Sequence, residues 1–120
     1  MPGGTPFVPE TMVVVTLNNP REKFWGMLIA LAPEGLTVTG LELSTVEDSA
    51  ALVKEGETLS PAVVFFPMHR VEKMEVDLPD GNLPSLSQRF AAKTGVEPSL
   101  LLKSAHAQRR HFDPRRGRRG

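Results

Sequence analysis

The chain of 120 residues contains no cysteine. Disulfides, thiolate metal sites and cysteine nucleophiles are thereby excluded, and a reducing, cytoplasmic setting is the expectation. Aromatics are scarce, with one tryptophan, six phenylalanines and no tyrosine. Only Phe112 stands among basic residues, so the interleaving of aromatic and basic side chains that favours nucleic acid is thin. The longest uncharged apolar run, Phe24 to Pro33, falls well short of the ~20 residues that span a bilayer. Met1 to Glu10 has no basic start and carries Pro2, Pro6 and Pro9, so neither a signal peptide nor a membrane contact is expected. No glycine-rich phosphate loop follows a strand, because Gly3 and Gly4 are terminal and Gly117 and Gly120 close the chain. His69, His106 and His111 lack the short spacings of a zinc site, and no cofactor is expected.

Formal charge is zero, but its distribution is uneven. Arg109, Arg110, Arg115, Arg116, Arg118 and Arg119 stand against Asp113 alone, a net of +5 in residues 109–120 that leaves residues 1–108 at −5. With Pro114, Gly117 and Gly120 among them, these residues bury too little apolar surface to offset ordering entropy. A disordered basic tail is predicted.

The chain length allows one core and one domain. Residues 1–11 read as a flexible lead. Met12 to Leu17, with three consecutive valines, has the composition of a buried strand, closed by Asn18, Asn19 and Pro20. From Glu22 to Ala32 the alternation places Phe24, Leu28 and Ala30 on one face and Trp25, Met27, Ile29 and Leu31 on the other. A strand this apolar on both faces should bend, and Gly26 is the natural place. After a turn at Pro33–Gly35, Leu36 to Leu43 should return as the second arm of a hairpin. Ser44 to Glu47 fit a capping box, and Val46, Ala50 and Val53 recur at helical spacing before Gly56, predicting a helix near 45–55. Ala62 to Phe66 and Arg70 to Leu78 form a short strand pair with a corner at Pro67, Met68 and His69. Ser85 to Gln88 is a second capping box, with Gly95 as the stop of its helix, and another helical stretch is predicted over 98–107.

The fold class expected is therefore mainly β with added helices. A small five-stranded SH3-like or Sm-like barrel would occupy residues 12–78, with a helical insertion near 45–55, a helical segment over 79–108 and the basic tail at 109–120. Closure would bury both apolar faces and remove exposed edges. Met12 to Asp77 resembles the Sm-like small barrel, and Val64 to Met74, reading VFFPMHRVEKM, resembles its second half. The resemblance implies that a histidine or arginine at the corner faces RNA in a ring, which points to His69 and Arg70 and to a homo-oligomer. Two departures stand beside it: the insertion at 44–61, and no counterpart near 33–43 of the family's RNA-contacting aspartate or asparagine signature. The chain also resembles a group of small bacterial proteins built around PREKFWG, here Pro20 to Gly26, and FFPMHRVE, here Phe65 to Glu72.

His69 and Arg70 equally suit an ordinary salt-linked turn beside Glu72, and Pro20 to Lys23 a solvated one. Trp25 reads as a core anchor rather than a stacking platform. Glu72, Glu75 and Asp77 read as a solvent-facing strand edge rather than an acid–base site, so no enzyme is expected. Two functions follow. One is a binding module for RNA or another polyanion, using His69, Arg70 and the six tail arginines. The other is a protein-interaction or regulatory adaptor with no nucleic-acid role.

Overall fold

A computed structural model describes residues 4–110. It is a mixed α/β domain with one five-stranded antiparallel sheet and three helices: β1 Met12–Leu17, β2 Glu22–Ala32, β3 Gly35–Glu42, α1 Val46–Lys54, β4 Ala62–Pro67, β5 Val71–Val76, α2 Leu86–Thr94 and α3 Pro98–Arg110. Three-residue 3₁₀ turns, Leu43–Thr45 and Met68–Arg70, precede α1 and join β4 to β5. Strand order is β4-β3-β2-β1-β5, so the two edge strands are consecutive in the chain. A flat sheet would hold those edges about 19 Å apart, whereas the four steps from Pro67 to Val71 reach at most about 14 Å. The sheet must curl. Register shifts between Leu28 and Ala30 in the β2–β3 ladder, and between Thr16 and Leu17 in the β1–β5 ladder, supply added twist.

Closure into a barrel, expected from the sequence, is not found. Among the described residues no ladder joins β4 to β5, and both remain edges. The expected bend at Gly26 is also displaced, to Ile29, which is skipped in the β2–β3 register. Gly26 has a different task. It lies opposite Gly40, where a Cβ on either residue would collide with backbone of the facing strand.

Period-two alternation divides the apolar residues between two cores. Val13, Val15, Leu17, Phe24, Leu28, Leu36 and Val38 fill the concave face, with Phe66 edge-on to Phe24 at 5.4 Å between ring centroids. On the convex face Trp25 meets Val46 and Ala50 of α1 and Phe90 of α2. Leu101 of α3 packs against the same cluster. Trp25 is therefore a core anchor, 1% exposed.

The lead is tied down where it is described. Leu28, at the bulge, accepts from the Glu10 N–H at 2.7 Å and donates to the Thr11 carbonyl at 2.8 Å, while Phe7 packs on the concave core. At the other end α3 continues through Arg109 and Arg110, which the sequence assigns to the tail. Arg115, Arg116, Arg118 and Arg119 lie outside the described residues. The capping box expected at Ser44–Glu47 does not form, because Ser44 lies within the 3₁₀ turn and the N-cap of α1 falls on Thr45, whose hydroxyl donates to the Glu42 carbonyl at 2.9 Å instead. The second box, Ser85 with Gln88, forms in both directions, and Gly95 caps α2 at φ +78°.

Candidate functional site: the open edge of the sheet

His69 and Arg70 share the 3₁₀ turn between β4 and β5. His69 is exposed. Arg70 is occupied: Nη1 donates to the Asn18 carbonyl at 2.6 Å and to the Pro20 carbonyl at 3.2 Å, and Nη2 pairs with Glu22 Oε1 at 3.3 Å. The Asn18 N–H returns a bond to the Arg70 carbonyl at 2.9 Å. The guanidinium thus fastens the β4–β5 corner to the β1–β2 turn, whose chain reverses through Asn19 at φ +49°. A planar five-donor group suits this task, since it can serve several carbonyl acceptors and a carboxylate together. Nothing in the described residues brings His69 and Arg70 together with the arginines of 109–120.

Asp77 departs most from its expected role as a surface carboxylate. Its Oδ2 accepts from the Trp25 indole at 3.0 Å, the Ser87 N–H at 2.8 Å and the Ser87 hydroxyl at 2.7 Å, while Oδ1 accepts from the Leu86 N–H at 2.9 Å. An anion placed on the first free N–H groups of α2 satisfies orphan donors and complements the helix dipole. The sequence signal was faint, since Trp25 lies 52 positions away. Glu72 and Glu75 do stay on the exposed β5 edge, with Lys73 bridging to Glu75 at 3.8 Å.

Among the described residues no group of three or more His, Asp or Glu side chains could hold a metal ion, and no helix is long and apolar enough to cross a membrane. Several depressions mark the described surface. One of about 300 Å³ opens at the mouth of the concave core over Leu17, Phe24, Val64 and Phe66; another, about 440 Å³, runs between α1 and α2. Both are broadly open, and neither gathers groups for acid–base or nucleophilic chemistry.

The most unusual surface is β4. Edge strands ordinarily carry charge that discourages pairing. β5 obeys, with Glu72, Lys73 and Glu75, but β4 reads Ala-Val-Val-Phe-Phe-Pro without a charge. Val64 and Phe66 turn into the concave core, which leaves Phe65 54% and Val63 38% exposed on the convex side beyond the helices. The backbone alternates too. The Met68 N–H donates to the Glu34 carbonyl on the β3 side at 2.8 Å, so in the antiparallel pattern Phe66, Val64 and Ala62 also address β3. Val63 and Phe65 turn their N–H and C=O groups outward.

Comparison with protein-family models, curated proteins and solved structures finds no match, so the chemistry of the described residues carries the functional reading.

Proposed function

We propose that the chain is a non-catalytic binding module whose working surface is the open β4 edge, used for contact with another protein. The carrying observation is that edge itself: outward backbone donors at Val63 and Phe65, an exposed phenylalanine, and no charge from Ala62 to Pro67. Main-chain pairing supplies affinity in strand addition, and alternate side chains supply selectivity. Native affinity purification of the wild type and of Phe65→Lys tests the reading. A stoichiometric protein, a second copy included, should be retained by the first and lost from the second; equal retention by both would sink the proposal.

A second reading, binding of RNA or another polyanion, is favoured by the six arginines within residues 109–120. Arg70 adds nothing to it, because its donors already serve Asn18, Pro20 and Glu22. The acidic remainder of the chain is a poor match to phosphate.

A further inference from the structure

We infer that the occupant of the β4 edge is the β4 edge of a second copy, paired antiparallel about a two-fold axis through Val64. The inference rests on the reading of β4 as the contact surface and adds its partner and register. Only Val63 and Phe65 offer outward N–H groups in this strand, and Pro61 and Pro67, which have no N–H, bracket them. Setting Val63 opposite Phe65 of the second copy joins every outward donor to an outward carbonyl. The same register places Pro61 opposite Pro67 of the other copy, so the two positions without an N–H meet each other. Shifting the two-fold to Phe65 sets Val63 against Pro67, and shifting it to Val63 sets Phe65 against Pro61; either leaves one pair bonded in both directions where this register has two.

The flanking side chains agree with this arrangement. Antiparallel pairing lays the flank before β4 of one copy beside the flank after β4 of the other. Residues 55–60 carry Glu55 and Glu57 and no base, whereas residues 68–70 carry no acid and present the exposed imidazole of His69, Arg70 being spent on Glu22 of its own copy, so carboxylates meet a ring N–H donor twice by symmetry. A second copy's β5 is a poorer partner, since Glu72, Lys73 and Glu75 would line an uncharged strand. The ladder is short. A contact confined to two bonded pairs makes a weak dimer that assembles with rising concentration.

The absence of cysteine makes the register directly readable. At the two-fold, Val64 forms a pair without ladder hydrogen bonds, in which opposed Cα atoms approach to about 4.5 Å, within disulfide range. Mild oxidation of Val64→Cys should therefore yield a covalent dimer, and Glu75→Cys on β5 should not. Adding Phe65→Lys to Val64→Cys should abolish the cross-link, with circular dichroism confirming an unchanged fold. Sedimentation equilibrium of the wild type gives a reading independent of any substitution, and a concentration-dependent shift to twice the chain mass is expected. A wild type monomeric at every concentration overturns the inference, as does preferential cross-linking of Val64→Cys to Glu75→Cys in a mixture, which would mean head-to-tail assembly. If the wild type stays monomeric while Phe65→Lys still sheds a different protein, this inference falls and the β4 contact surface stands.

Discussion

Asp77 and Arg70 do comparable work at opposite ends of the sheet: each is a charged side chain spent on joining segments about 50 positions apart in the chain. Hydrogen bonds to a charged partner are stronger than neutral ones, and removing the carboxylate would leave the Trp25 indole and two α2 N–H groups without their acceptor. Asp77→Ala should cost about 2–4 kcal/mol, read as a lower urea midpoint with little change in m-value. An unchanged midpoint would show that water replaces the carboxylate without penalty. Neither role was legible in the sequence. Asp77 ends a strand with alternating charges, and Arg70 follows a histidine in a corner; both look like surface chemistry until the distant partner is placed.

At the scale of elements, local pattern carried much further. The valine run marks β1, the two-faced apolar alternation marks β2, and Ser85 with Gln88 and Gly95 delimits α2, because each signal lies within a few residues of what it specifies. The bend in β2 was misplaced for a physical reason. A glycine in a strand serves equally for a bulge or for close backbone approach, and here Gly26 and Gly40 face each other across the ladder while Ile29 takes the bulge. Gly40→Ala would drive its methyl into the Trp25 carbonyl. The variant should lose at least about 2 kcal/mol, by thermal or urea unfolding, since the obstacle is backbone and cannot rotate away. That the expected barrel stays open was likewise illegible, because closure depends on whether β4 and β5 join in a ladder, which no local pattern encodes.

For the whole molecule, the separation of charge offers the cleanest discrimination between the two functional readings. Polyanion binding through the arginines of 109–120 would weaken steeply with salt and vanish when those residues are removed, as counterion release requires. Electrophoretic mobility shift with RNA, across a salt series and with and without residues 109–120, checks this. Retention of binding by the shortened chain would exclude the arginines as the contact. Under the protein-contact reading, the same truncation leaves the Phe65-dependent association intact, because Val63 and Phe65 lie in β4, distant in sequence from the chain end.

Trp25 is the only tryptophan, and it sits where sheet, α1 and α2 converge, with its ring 5.6 Å from that of Phe90 and its nitrogen held by Asp77. Intrinsic emission from this protein is therefore a single-site optical probe of helix docking. Should α2 peel away ahead of the strands during denaturation, the spectrum would redden while the far-ultraviolet β signal persisted, separating two events that a bulk observable merges.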